Sequence, residues 1–143
     1  MSIWFKPYTL DDLNKFRGTT TEHVNKHLGI ELTEVGDDFL KGTMPVDHRT
    51  VQPFGLLHGG VSCVLSETLG SVAAWMCIDV EKQIAVGIEI NANHLRPVTR
   101  GMVTGICKPI QIGKSLHVWQ TEMFNDEGKM NCISRLTVAI KDR

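Results

Sequence analysis

The apolar residues of this chain change their period twice. Near the start they are sparse, and Leu10, Leu13 and Phe16 recur at near-helical spacing behind Thr9, a residue suited to cap a helix. They predict a short helix over residues 9–16. Residues 21–28 read as a second short helix, ended by Gly29. Residues 30–35 and 39–46 have strand character, with Gly36-Asp37-Asp38 as the turn between them. Residues 47–57 hold Pro53 and Gly55 and predict an irregular connection. A long helix then starts near Gly59. Val61, Val64, Leu65, Leu69, Val72, Ala73 and Met76 follow a 3,4 spacing and make one apolar face. Cys63, Glu67, Gly70, Ser71 and Ala74 fall on another face, built of small residues apart from the glutamate. Small residues let a ligand or another chain approach the helix backbone. Beyond the helix the period drops to two. Ile84, Val86, Ile88, Ile90 and Ala92 alternate, residues 102–112 and 116–124 are further strands, and Asn125-Asp126-Glu127-Gly128 signals a hairpin turn. A last strand over residues 132–140 places Leu136, Val138 and Ile140 on one face.

Two strands, one long apolar helix and about four more strands predict an α+β architecture, a sheet with a helix on one face. The helix is apolar over most of its girth, so the sheet must wrap around it. The 143 residues form one expected domain, spanning 1–143. A chain of this length buries roughly 68% of its unfolded surface and folds without disulfides or metal. Charged residues make up 22% and the net charge is −1 with no basic block, so nucleic acid is not an expected partner. The N-terminus lacks an apolar stretch of signal-peptide length. The apolar run over residues 61–78 approaches membrane-spanning length, but Glu67 and several Gly and Ser residues make it a core helix, with no membrane partner expected. Cys63, Cys77, Cys107 and Cys132 form no C-x-x-C pair and read as free thiols in a reducing cytoplasm.

Between Thr50 and Ile78, Glu67 is the only Asp, Glu, Lys or Arg. A carboxylate in an apolar helix costs free energy to bury, and such groups tend to mark chemistry. It is either a base or nucleophile, or a structural residue paired with an arginine across an interface. Upstream, His58-Gly59-Gly60 opens the helix, where unpaired N–H groups and the positive dipole end attract a developing oxyanion. Gly59 would let a carbonyl oxygen reach its N–H. A serine hydrolase would need G-x-S-x-G, which the chain lacks. Gln52 is either a loop residue or an amide that positions water or substrate. Asn93-His94-Leu95-Arg96-Pro97 is a solvated strand end or an anion grip for a phosphate-bearing substrate, and Ile112-Gly113-Lys114-Ser115 is a hairpin turn or a second grip. His23 and His27 stand at i,i+4 with no third ligand evident, so they read as surface residues and no metal site is expected.

Three strings in order, Gln52 to Gly60, Ser66-Glu67-Thr68-Leu69-Gly70-Ser71 and Asn93 to Val98, resemble the hotdog-fold acyl-CoA thioesterases. Within them the chain is similar to the aryl-acyl branch, which includes 4-hydroxybenzoyl-CoA, 1,4-dihydroxy-2-naphthoyl-CoA and enterobactin proofreading thioesterases. The resemblance covers nearly the whole chain. It implies an antiparallel sheet wrapped around a central helix, in a dimer with two interfacial active sites and a dimer of dimers. It implies hydrolysis of an aryl- or aromatic acyl-CoA thioester, with acyl carrier protein as the other candidate carrier. No cofactor is needed, since CoA is part of the substrate. Glu67 of one subunit would act as nucleophile or general base, opposite Gln52, His58 and Gly59 of the other. Ser71 would line the acyl pocket. Gly87, His94, Leu95, Arg96, Pro97, Gln111, Ile112, Gly113, Lys114, Ser115 and Leu116 would hold the CoA arm. Lys114 stands where relatives often carry arginine, keeping the charge without the bidentate fork. Two other classes fit a related fold: acyl-thioester dehydration, whose usual H-F-P-G-like string is absent, and non-catalytic acyl-CoA binding.

Overall fold

In the computed structural model, which describes residues 1–15 and 20–143, three helices and six strands follow the expected order. Helix α1 is Leu10–Lys15, α2 Val24–Leu28 and α3 Gly59–Met76; the strands are β1 Glu31–Val35, β2 Leu40–Pro45, β3 Gln83–His94, β4 Met102–Ile112, β5 Leu116–Phe124 and β6 Met130–Asp142. Thr9 caps α1 reciprocally with Asp12. The Thr9 N–H donates to the Asp12 carboxylate at 2.8 Å, and the Asp12 N–H donates to the Thr9 hydroxyl at 3.1 Å. Phe16, the expected end of that helix, lies outside the described residues. His23, expected to be a plain surface residue, caps α2 by accepting from the Lys26 N–H.

The strands form one sheet in the order β1-β2-β4-β5-β6-β3, with every neighbour pair antiparallel. Helix α3 lies on its inner face. The expected apolar face of α3 needs correction. Leu65, Leu69, Ala73 and Met76 are buried, but so are Ser62, Ser66, Gly70 and Ala74, while Val61, Val64 and Val72 are only half-buried. Side-chain size decides this. Gly42 and Gly105 pair across β2 and β4, and a Cβ on either would stand 2.9 or 2.8 Å from a Leu69 methyl. The two glycines make a notch that receives Leu69. On the helix side, a Cβ at Gly70 would reach Leu136 at 2.6 Å, and the Ser66 and Ser134 hydroxyls bond to each other. Small residues therefore let rod and sheet meet, while Val61 and Val72 pack only partly on the core and Val64 and Val72 line an open hollow.

Strand β3 also departs from plain alternation. A bulge between Gly87 and Glu89 shifts the register against β6, leaving Val86 and Ile88 43% and 58% exposed while Ala85, Ile90 and Ala92 pack on the core. β3 is an end strand; its far side has no neighbouring strand among the described residues. The four cysteines are free. Burial pushes the Cys77 and Cys107 thiols up to about 12, as expected of small hydrophobes.

His117 on β5 is 2% exposed, and its Nδ1 has no hydrogen-bond partner among the described residues. Burial lowers its pKa from 6.5, against the opposing effect of a hydrogen bond to the Gly113 backbone. The unfolded chain therefore takes up a proton that the folded chain refuses. Stability should fall as pH drops through about 6.5 and level off below the depressed folded value. Melting curves from pH 7.5 to 5 check this, and His117→Gln should flatten that part of the profile.

Candidate active site

The connection before α3 is held by its own backbone. The Gln52 N–H donates to the Leu56 carbonyl at 2.8 Å, and the His58 N–H to Thr50 at 2.9 Å. Gly55 closes the turn at φ 81°, in the left-handed region that favours glycine. The Leu57 N–H donates to Val98 at 2.8 Å, so this loop lies beside the segment that follows Pro97. The Gln52 side-chain oxygen accepts from the Phe54 N–H. Its NH2 is left with no protein partner among the described residues.

The first turn of α3 spends all but one of its donors. The Gly60 N–H donates to His58 Nδ1 at 2.9 Å, and the Val61 and Ser62 N–H groups donate to the His58 carbonyl at 3.0 and 3.2 Å. The Gly59 N–H remains free among the described residues. With Nδ1 accepting, a neutral ring of the exposed His58 carries its proton on Nε2. His94, from the end of β3, stands over the same spot: a Cβ at Gly59 would meet its Nε2 at 2.7 Å. Gln52, His58, Gly59 and His94 thus gather at one end of the helix.

Glu67 sits elsewhere. Eight residues along a helix span about 12 Å, so its backbone is that far from Gly59 in the same chain. Nor is it enclosed, as the apolar sequence around it suggests: it is half-buried. It lines an open hollow of about 540 Å³ with Asn25, Gly60, Cys63, Thr68 and Ser71. No cation of the described chain pairs with it. Its carboxylate lies over β3, where a Cβ at Gly87 would stand 2.6 Å from Oε1. Gly87, expected to help hold a CoA arm, is therefore a neighbour of the carboxylate. A lone glycine within an alternating strand was the signal for such a close approach. Burial, and then the nearby Glu67 charge, raises the Cys63 thiol pKa.

The two expected grips are not together in one chain. Leu116, Ala139 and Val86 share one row of the sheet, while His94 pairs with Cys132. Eight strand residues separate these rows, roughly 25 Å. The turn carrying Gln111, Ile112, Gly113, Lys114 and Ser115 is therefore at the opposite end of the sheet from His94, Leu95, Arg96 and Pro97. The Leu95 and Arg96 N–H groups are taken by the Asn131 carbonyl, at 2.9 and 3.4 Å. The Arg96 and Lys114 side chains are exposed and form no ion pair among the described residues. In the same set no group of three or more His, Cys, Asp or Glu could hold a metal ion, and no helix is long and apolar enough to cross a membrane.

Residues 54–132 match the model of the thioesterase superfamily. The 1,4-dihydroxy-2-naphthoyl-CoA hydrolase of Escherichia coli is 49% identical over 138 residues, covering 96% of this chain and 98% of that protein. The proofreading thioesterase EntH of Cronobacter turicensis is 46% identical over 138 residues, covering 96% and 98%. A crystal structure of a Haemophilus influenzae thioesterase superposes with a TM-score of 0.89 at 47% identity, over 98% of this chain and 95% of that one. With a long helix lying against one six-stranded antiparallel sheet, the chain belongs to the thioesterase superfamily, has the hotdog fold and is a thioester hydrolase.

Proposed function

We propose that this thioesterase cleaves aromatic acyl-CoA esters in a site shared by two copies of the chain. One observation carries the reading. The unspent N–H of α3 and the residue bearing the helix's only charge are eight residues apart on one rigid rod, about 12 Å between their backbones, and the carboxylate is turned onto Gly87 of β3. That is too far for one carbonyl group to meet both. A complete site therefore takes Glu67 from one protomer and Gly59, Gln52 and His58 from another. The bare edge of β3, with Val86 and Ile88 exposed, supplies a surface for that pairing. A two-fold operator along that edge would also bring one copy's residues 94–97 toward the other copy's residues 111–116. A dimer of such dimers is the assembly we propose.

The thioester oxygen is held by the Gly59 N–H at the positive end of the helix, where negative charge gathers as the carbonyl is attacked. The Gln52 NH2 is the second available donor. Glu67 either removes a proton from water as that water adds to the carbonyl carbon, or adds directly to form an anhydride that water then opens. In both routes the C–S bond breaks and sulfur leaves as thiolate, which takes its proton from His58 Nε2 or from water. The thiolate leaves easily, so no strong acid is required. As written, the reaction uses protein groups and water and no cofactor. Arg96 and Lys114, both without ion pairs among the described residues, suit the phosphates of CoA. The aromatic acyl group follows the named activity of the E. coli relative. Four free thiols suit the cytoplasm.

Thiol release followed with a thiol-reactive dye, across aromatic and fatty acyl-CoA esters, tests the proposal. Aromatic esters should turn over fastest. Saturable binding with no thiol released would replace it with a binding protein. Enoyl product from a 3-hydroxyacyl thioester would make it a dehydratase.

A further inference from the structure

We propose that the N-terminal segment and α1 build the far wall of the acyl subsite and fit it to a flat aromatic group. The inference rests on the proposed function and assigns residues the family match does not reach, since that match begins at residue 54. A second hollow, of about 560 Å³, opens beside α3. This is within the roughly 300–1,000 Å³ usual for small-molecule sites. Tyr8 and Leu13 form one side of it, Leu32 and Ala85 come from β1 and β3, and Trp75 from α3. The two hollows meet at Ser71 and Val72, which line both.

Glu67, Ser71 and Trp75 follow one another at i, i+4 and i+8, on one side of the helix. An acyl group whose carbonyl lies at Glu67 would pass Ser71 after about 6 Å and reach Trp75 after about 12 Å. That length suits one or two fused rings. The Tyr8 and Trp75 rings lie 5.5 Å apart, tilted by 49°, and give the end of the path flat apolar walls. Lys6 and Asp12 are the charged residues of the lining, which favours a ring with a polar edge over a long alkyl chain.

The wall is fixed rather than loose. The Ile3 N–H donates to Asp37 at 3.0 Å, the Trp4 indole N–H to Gly36 at 2.7 Å, and the Phe5 N–H to Met76, at the end of α3, at 2.9 Å. Trp4 stacks on Trp119 at 6.4 Å. The position of Tyr8 is thus set by the core and by the last turn of the helix that carries Glu67.

Leu13→Trp tests the inference by filling the hollow from α1, away from Glu67. The substrates are 2-naphthoyl-CoA and propionyl-CoA. The binding probe is S-(2-naphthacyl)-CoA, a thioether that cannot be hydrolysed, compared with CoA itself. In the variant, kcat/KM for 2-naphthoyl-CoA should fall about 20-fold or more while propionyl-CoA changes less than about threefold, and the thioether's affinity advantage over CoA should shrink to match. Leu13→Ala, which removes part of the wall and adds no bulk, should lower the naphthoyl-to-propionyl ratio and serves if the tryptophan variant fails to fold. Unchanged ratios and affinities in the folded variants overturn the inference and leave the thioesterase reading standing. Leu13-dependent binding of the thioether without hydrolysis of either ester does the reverse. Neither binding nor hydrolysis overturns both.

Discussion

Glu67→Gln is expected to lower turnover of an aromatic acyl-CoA ester by about 10³-fold or more, the upper part of the range for removing a base or nucleophile. The amide keeps the shape of the side chain and cannot take a proton or attack carbon. The helix should be undisturbed, because the Glu67 side chain is half-exposed and makes no hydrogen bond that α3 depends on. Affinity for the ester should stay within about threefold, since the residues proposed to hold the CoA arm lie elsewhere. Stopped-flow thiol release gives the rate, and titration with the thioether gives the affinity. Near-normal turnover would remove Glu67 from the chemistry. If the mutant is slow, single-turnover hydrolysis by the wild type in oxygen-18 water separates the two routes. Label in the enzyme's own carboxylate marks direct attack, and label in the product alone marks activated water.

Gly87→Ala is expected to cost about 100-fold in kcat while changing stability by less than about 1 kcal/mol. The added Cβ would lie 2.6 Å from Glu67 Oε1, closer than non-bonded atoms approach. What it displaces is the end of a flexible, half-exposed side chain, so the fold adapts easily. The carboxylate moves off its mark, and a displacement of about 1 Å in a reacting group is worth about 100-fold. Thermal melting with steady-state kinetics makes the test. A fast enzyme would show that the carboxylate works from a position away from β3, whereas a slow and unstable one would make Gly87 a packing residue.

Strands β4 and β5 are legible from the sequence to the residue because turn chemistry brackets them. Gly101 and Gly128 adopt φ near 80° and 74°, and residues 113–115 turn between the strands. Glu67 is legible as the single charge in a long apolar stretch. The inner face of α3 is not, because hydrophobicity scales reward Val61, Val64 and Val72 while close packing rewards Gly70 and Ala74. Which residues face a sheet depends on the notch cut by Gly42 and Gly105, which lie far apart in sequence and meet only once β2 pairs with β4. The bulge in β3 is hidden for the same reason, since register belongs to two strands and not to one. The hollow behind Ser71 is made by five separated segments, and no local pattern announces it. Among the expected site residues, neighbours in sequence stay together in space. The two segments expected to grip anions, on different connections, part company.

The rod that carries Gly59 and Glu67 also works as a ruler. Each helical residue advances about 1.5 Å and turns 100°. Adding or removing one residue between the two would change the separation little but swing the carboxylate around the helix, away from β3. No nearby side chain could compensate, because the measure is kept by the backbone's own hydrogen bonds. This stretch can exchange side chains at its inward and outward positions, yet it is closed to any change of length.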